Sequence, residues 1–450
     1  MHLPSSLITS LNDIKGFNQQ AFEAIHASDE QVTSIRLNPL KTNNQQLVTS
    51  NQKVSWCPYG YYLPQRPSFT LDPTFHAGAY YVQEASSMFL WHILQQTIGT
   101  KTQGLKVLDL CAAPGGKSTL LASYFIDGLV VSNDVIKSRV NILVENITKW
   151  GYNNVVVTNN DPSHFKILEN YFDIIVVDAP CSGSGLFRKD NNAINEWSEG
   201  NVALCSQRQQ RITADVLPAL KQGGLLIYST CSYSKQEDED ILDWLVEEQK
   251  VDSCKITVNG TAIVETQSDK HKAFGYRFYP YLTKGEGFFV GAFTKKNGGL
   301  TGNYKQQLLV KPSKTEIDMV VNFIGARDTD SLFKQHEDIR LLPTQWWQEL
   351  QILAKHLYIK KAGIAIGTVK GKDIIPHHEL AVSAMQLPTI HTITLTETEA
   401  LQFLRRKELV VDAAKGWAAV TFCALRLGWI KVLPNRINNY YPQEWRILKG

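Results

Sequence analysis

Cysteine pairs are absent from the sequence: its seven cysteines stand at 57, 111, 181, 205, 231, 254 and 423, and no two form a Cys-x-x-Cys. That excludes the common structural zinc and dithiol redox motifs, and the odd count points to reduced thiols rather than a disulfide framework. A long hydrophobic run is missing too, since nothing approaches the roughly 18 consecutive apolar residues of a membrane span. The opening MHLPSSLITSLNDIKGFNQQ lacks the basic and apolar regions of a signal peptide. The expectation is a cytoplasmic protein with no membrane partner and no bound metal. No exposed heptad or apolar stripe stands out either, so a monomer is expected.

Charge of one sign is not in large excess, the net value being +3, but it is unevenly placed. Residues 297–450 hold 20 Lys and Arg against 14 Asp and Glu, which leaves 26 against 29 upstream. The C-terminal part is therefore +6 and the rest −3. In the last forty residues Lys415, Arg426, Lys431, Arg436, Arg446 and Lys449 are interleaved with Trp417, Trp429, Tyr440, Tyr441 and Trp445. Such a mixture suits phosphates and stacked bases, and equally a solvated surface over an aromatic core.

With 450 residues, 43% of them hydrophobic and 20% charged, the chain has the composition of a folded protein of at least two domains. From Lys106 to Lys296, apolar runs alternate with helical stretches, the pattern of a mainly parallel sheet covered on both faces. KVLDL, LVVSND, NVVVTNND, FDIIVVDAP and GLLIYSTC are five strand candidates. STLLASYF, SRVNILVENITKW and RITADVLPALKQ, with apolar residues three and four apart, are the crossover helices. AFGYRFYPYL and GFFVGAFTK form a closing hairpin. After the linker-like Lys295-Lys296-Asn297-Gly298-Gly299, the residues around 313–355 read as helical. IKKAGIAIGTVKGKDIIP and KGWAAVTFCALRLGWIKVL then read as a small β-rich barrel.

After the first strand, Cys111-Ala112-Ala113-Pro114-Gly115-Gly116-Lys117-Ser118 opens a helix with small residues, as a cofactor loop does. A phosphate-binding P-loop is disfavoured because its first glycine is Cys111 here. Asp134, Asp161 and Asp178 close the second, third and fourth strands and should meet at one crevice. A carboxylate after the second strand suits ribose hydroxyls, and Asp161 could receive an adenine amine. This favours S-adenosylmethionine over a dinucleotide; the bland alternative for each aspartate is a helix cap.

Cys181 follows the fourth strand in Asp178-Ala179-Pro180-Cys181, and Cys231 the fifth in Ser229-Thr230-Cys231. A buried cysteine is commonly inert, but two at matching strand ends beside a methyl donor suit transfer to carbon-5 of a pyrimidine. That carbon becomes nucleophilic only after a thiolate adds to carbon-6. The base must be unpaired or flipped out to reach such a crevice. Residue order alone does not decide which thiol attacks.

CAAPGGK, DAPCSGSG and STCSYSKQEDE together resemble the NOL1/NOP2/Sun family of RNA cytosine-5 methyltransferases. The likeness extends through Ser34 to Asn38, Tyr80 to Met88, Arg277 to Pro280 and Gly285 to Phe289. The tail, through Arg405-Arg406-Lys407, Gly416-Trp417 and Leu427-Gly428-Trp429 to Pro442, resembles the PUA-like RNA-binding domain of the bacterial branch acting on small-subunit ribosomal RNA. The resemblance implies an α/β, Rossmann-like, S-adenosylmethionine-dependent catalytic domain at 101–296. An RNA-contacting region at 1–100, a connecting region at 297–375 and a β-rich PUA-like module at 376–450 would flank it. It implies that Cys231 is the nucleophile and Cys181 assists product release, with Asp178 beside them. Cofactor contacts carry over to Cys111, Ala112, Ala113, Pro114, Gly115, Gly116, Lys117, Asp134, Asp161 and Asp178, and RNA contact to Arg188-Lys189-Asp190. The implied partner is small-subunit rRNA or the small ribosomal subunit. A transfer RNA substrate and a non-catalytic assembly role are the alternatives. The sequence departs from the family's usual pattern at Glu237-Asp238-Glu239, commonly Glu-Asn-Glu, and at Tyr281, where histidine is frequent.

Overall fold

The computed structural model describes residues 3–28, 30–41, 51–190, 192–299, 302–325 and 332–448. Its centre is a ten-stranded sheet. The five predicted runs become β1 (Lys106–Asp109), β2 (Leu129–Asn133), β3 (Val155–Thr158), β4 (Phe172–Asp178) and β5 (Leu220–Thr230). All are parallel, in the order β3-β2-β1-β4-β5. β1, β2 and β3 are buried throughout, as continuous apolar runs covered on both faces must be. The helices Gly116–Tyr124, Lys137–Trp150 and Glu199–Val216 make the crossovers. Ser198 starts the last of these by accepting the Asn201 N–H, and Gly151, at φ 83°, ends the second. A Cβ at residue 151 would lie 2.5 Å from the Val382 carbonyl oxygen, so only glycine fits there.

Four further strands follow on the β5 side: β6 (Val251–Ser253), β7 (Ile263–Gln267), β8 (Phe274–Phe278) and β9 (Phe288–Lys295). β8 and β9 are the expected hairpin, and β9 lies antiparallel against β5, pairing Phe289 with Thr230. The other edge is closed by a strand that the sequence assigned to the small barrel. β10 (Ile359–Ala362), from the connecting region, pairs antiparallel with β3 through Ile359↔Thr158 and Ala362↔Val156.

The N-terminal part holds a separate four-stranded antiparallel sheet whose central strands are Thr33–Leu37 and Gly60–Leu63. Downstream, the stretch expected to be helical is divided. Helices Lys314–Ile324 and Trp347–His356 flank a hairpin of Leu332–Gln335 and Asp338–Leu341, while 326–331 lie outside the described residues. Antiparallel pairing from Leu332↔Leu341 to Gln335↔Asp338, closed by a turn with His336 at φ 56°, replaces the helical reading there. This hairpin joins Ile364–Lys370 and Asp373–Pro376 in one sheet, and Thr392–Thr394, Gly416–Phe422, Leu425–Leu433 and Arg436–Asn439 form another.

Lys41 ties the parts together. Its Nζ donates to the carbonyl oxygens of Ala77 (2.8 Å), Lys149 (2.5 Å) and Val382 (2.5 Å), which belong to the N-terminal part, the central parallel sheet's second crossover helix and the C-terminal part. Burial, with Arg426 nearby, holds this amine well below its usual range. Among the described residues no helix is long and apolar enough to cross a membrane.

Candidate active site

The loop after β1 turns into the helix Gly116–Tyr124 through Gly115, whose φ of 115° belongs to glycine. The peptide between Ala113 and Pro114 is cis. Arg139 Nη2 donates to the Ala113 carbonyl oxygen at 2.5 Å, and Asn146 Nδ2 to that of Pro114 at 2.9 Å. Beneath the loop lies a cavity of about 380 Å³ lined by Cys111, Ala112, Ala113, Pro114, Gly116, Lys117, Asp109, Asp178 and Cys231. A Cβ on Gly116 would come within 3.6 Å of Tyr81 and Gln83, which form the opposite wall.

Asp178 ends β4 with both carboxylate oxygens engaged, Oδ1 by Ser229 Oγ at 2.7 Å and Oδ2 by Lys117 Nζ at 2.8 Å. Asp134 follows β2, accepts the Ile136 N–H at 2.9 Å and stands 3.5 Å from Arg139 Nη1. Asp161 caps the 3-10 turn Pro162–Ile167, accepting from both N–H and Oγ of Ser163, which lowers its carboxyl. Neither Asp134, Asp161, Gly115 nor Cys181 is among the residues lining the cavity. Burial pushes the Cys111 thiol far up, so it stays neutral. Asp109, which the sequence reading passed over, ends β1 inside the cavity. Burial raises its carboxyl to about 7, Ser118 Oγ donates to Oδ2 at 2.6 Å, and buried Oδ1 has no hydrogen bond among the described residues. A cationic amine or sulfonium fits these carboxylates, and the N–H groups opening the helix suit the carboxylate of a methionine moiety.

The thiols meet where Cys231 lines the cavity, with Cys181 behind its wall. Cys181 Sγ lies 2.8 Å from Cys231 Sγ. Contact with Cys231, then burial, pushes the Cys181 thiol well above the usual thiol range, so it keeps its proton. The loop after Cys181 is held by one buried acid. Glu237 Oε1 accepts from the Ser182 N–H (2.8 Å) and Gln209 Nε2 (3.0 Å), and Oε2 from Ser182 Oγ (2.5 Å) and Ser232 Oγ (2.7 Å). Behind it Arg277 donates through Nε to Glu239 Oε1 at 2.7 Å and pairs with Asp238 at 3.1 Å, while Thr230 Oγ1 donates to Asp238 at 2.6 Å. At the departure, burial raises the Asp238 carboxyl well above the usual range although Arg277 stands beside it, and the Thr230 hydroxyl satisfies one of its oxygens.

The N-terminal sheet completes the walls. Buried Arg36 donates through Nε to Gln83 Oε1 (2.7 Å) and through Nη2 to Thr119 Oγ1 (2.6 Å), and lies over Trp150. Arg188, expected at the RNA, instead points inward, donating to the carbonyl oxygens of Gly285 and Glu30; Lys189 lines the cavity. The tail divides similarly. Trp429 and Tyr441 are buried core, and Arg426 bonds the carbonyl oxygens of Ala381, Ser383 and Met385. Trp417 stacks edge-on with Tyr440 below Lys431, and Lys415, Arg436 and Arg446 are exposed. Lys449 lies outside the described residues.

The pattern of the 16S rRNA methyltransferase RsmB/F family matches residues 97–294, that of the RsmF N-terminal domain residues 3–85, and that of the RsmF PUA domain residues 390–447. The chain belongs to the RsmB/F methyltransferase family. It is a methyltransferase, its cofactor is S-adenosylmethionine, and its C-terminal β-rich module is a PUA domain. It is 29% identical to ribosomal RNA small subunit methyltransferase F of Psychromonas ingrahamii, over 91% of this chain and 90% of that one. The protein of the same name from Salmonella paratyphi A is 27% identical over 99% and 96%. Among solved structures, a methyltransferase homologue from Pyrococcus horikoshii is 27% identical, with a TM-score of 0.52, covering 65% of this chain and all of the other. NSun6 from Pyrococcus horikoshii, crystallised with the S-adenosylmethionine analogue SFG, shares the fold at 17% identity and a TM-score of 0.54, over 65% and 98%.

Of the residues that matter to this geometry, Asp109 went unremarked in the sequence, and Arg36, Glu237 and Glu286 stood there only inside matched segments, with no role of their own. Only Asp109 had a usable signal, as the acid closing the first strand. The others act through contacts that no local pattern announces or through burial, as Arg36 does on Gln83 and Thr119, 47 and 83 residues away.

Proposed function

We propose that the protein is an S-adenosylmethionine-dependent RNA cytosine-5 methyltransferase acting on small-subunit (16S) rRNA through a covalent adduct of Cys231 with carbon-6 of cytosine. The observation that carries this is the pair of thiols 2.8 Å apart, one of which, Cys231, lines the cofactor-side cavity. S-adenosylmethionine supplies an electrophilic methyl group when bound. Cys111, Ala112, Ala113, Pro114, Gly115, Gly116 and Lys117 would hold it with Asp134, Asp161 and Asp178; Asp109 joins them.

The Cys231 thiolate forms a bond to carbon-6, which makes carbon-5 nucleophilic enough to take the methyl. A base then removes the carbon-5 proton, the sulfur–carbon bond breaks, and the ring double bond returns. Cys181, which keeps its proton, donates to the Cys231 sulfur and so stabilises it as attacking and as departing thiolate. Asp178, fixed by Lys117 and Ser229, stands at the same edge for the proton step.

The likeness of both ends of the chain to the RsmF patterns favours 16S rRNA over transfer RNA. We assign RNA contact to residues 1–100, catalysis to 101–296, connection to 297–375 and further RNA binding to 376–450, in a cytoplasmic monomer. Bisulfite sequencing of RNA from cells lacking the gene, complemented by wild type or Cys231→Ser, tests the proposal. One 16S cytosine protected only by the wild type is the expected result; protection confined to transfer RNA would reassign the substrate, and no difference at any cytosine would reject the reaction.

A further inference from the structure

Four carboxylates line the cavity: Glu84, Asp109, Asp178 and Glu286. The first three are hydrogen-bonded by the protein itself. Glu84 accepts from the N–H groups of Ser86 (2.6 Å) and Glu286 (2.8 Å), Asp109 from Ser118, and Asp178 from Ser229 and Lys117. Glu286 is only 4% exposed, yet its side chain receives no hydrogen bond from the described residues. Its nearest cation, Arg188 Nη1, stands 3.7 Å from Oε2, outside hydrogen-bond distance. A buried carboxyl left in this state is costly unless a ligand completes it.

The backbone ties the segment of that residue to the segment of the nucleophile, and both residues line the cavity. The Gly287 N–H donates to the Gly185 carbonyl oxygen at 3.1 Å, and the Gly185 N–H to that of Cys231 at 2.8 Å. A Cβ on Gly287 would fall 2.6 Å from the Cα of Gly185, so no side chain can widen this bracket. Glu286 is therefore held next to the bracket that carries the Cys231 carbonyl.

We infer that Glu286 is a specificity-determining residue that accepts a hydrogen bond from the exocyclic amine of the target cytosine; this rests on the function proposed above. Uracil offers a carbonyl oxygen where cytosine offers that amine, so a carboxylate there attracts one base and repels the other. Asp178, already satisfied on both oxygens, is less suited to the task. Burial lifts the Glu286 carboxyl to about 7, which also lets its neutral form donate to the ring nitrogen beside the amine.

The test uses the full-length protein with tritiated S-adenosylmethionine and 16S rRNA, free or assembled with ribosomal proteins. The substrate carries either cytidine or uridine at the position where bisulfite locates the methyl group. Wild type, Glu286→Gln and Glu286→Asp are compared, with cofactor affinity measured by calorimetry as a control for folding. For Glu286→Gln we expect kcat/KM on cytosine to fall about a hundredfold and the cytosine-to-uracil ratio at least about tenfold, with cofactor Kd within about twofold. Glu286→Asp should recover part of the ratio. An unchanged ratio overturns the inference, and so does a tenfold loss of cofactor affinity, which would place the carboxyl against the cofactor. A wild type that binds cofactor but modifies no cytosine overturns the underlying function and this inference with it.

Discussion

The sulfur of Cys181 touches the sulfur of Cys231 at 2.8 Å, across 50 residues of sequence, because β4 and β5 are adjacent parallel strands ending at the same edge. If Cys181 stabilises the departing Cys231 thiolate, Cys181→Ala should form the RNA adduct and release it slowly. A protein–RNA band that survives denaturing electrophoresis is expected for Cys181→Ala and absent for Cys231→Ala. The opposite pattern would exchange the two roles.

Glu237 fixes the loop that carries Cys181. Glu237→Ala strands two N–H donors and two hydroxyls in a site with no exposure. A loss of about 3–5 kcal/mol is expected, and a smaller one for Glu237→Gln, both readable from urea denaturation. Methyl transfer should fall more steeply than cofactor affinity, since the cofactor loop belongs to β1.

Lys41→Met should loosen the molecule as a whole. Three carbonyl oxygens lose one shared donor, a cost of about 1–3 kcal/mol that falls on the junction rather than on any single core. Faster proteolysis between the catalytic and C-terminal parts, with cofactor binding retained, is the expected outcome. Equal protection of variant and wild type would show the junction to be held by other contacts.

Buried histidines make stability pH-dependent. Burial lowers His26 and His76 to about 4 and His378 to about 3, from 6.5 in the unfolded chain. Above pH 6.5 they contribute nothing to the slope; as pH falls below it, the unfolded chain takes up protons that the native state refuses, and stability drops. For His378 the loss reaches roughly 2 kcal/mol at pH 5. Asp109 and Glu286, raised to about 7, act in the opposite sense, so the informative quantity is a difference between chains. His378→Phe, which keeps a ring between Tyr441 and Trp445, should lose less melting temperature than wild type between pH 7.5 and 5.

Much of the central sheet was legible because each parallel strand is a short, continuous apolar run followed by a helix of clear periodicity. Cys181, Cys231 and Asp178 were legible as a group for the same reason: strand ends in such a sheet share an edge. What could not be read was who meets whom across long separations. Nothing local to Arg36 says that it will sit on Trp150 and bond Thr119, or that Arg188 will turn away from the surface. The hairpin at 332–341 was missed because its strands are only four residues long and LFKQ shows no alternation to set it apart from a helical neighbourhood.

β10 has a further consequence, for the order in which the protein is made. As the chain leaves the ribosome, β3 emerges about two hundred residues before the strand that covers it, and until then Val156 to Thr158 offer an unsatisfied row of N–H and C=O groups. The catalytic sheet therefore cannot be finished by its own segment of sequence. A chain cut at residue 296 would keep both thiols and the cofactor loop yet carry an open, apolar edge able to pair with another copy of itself.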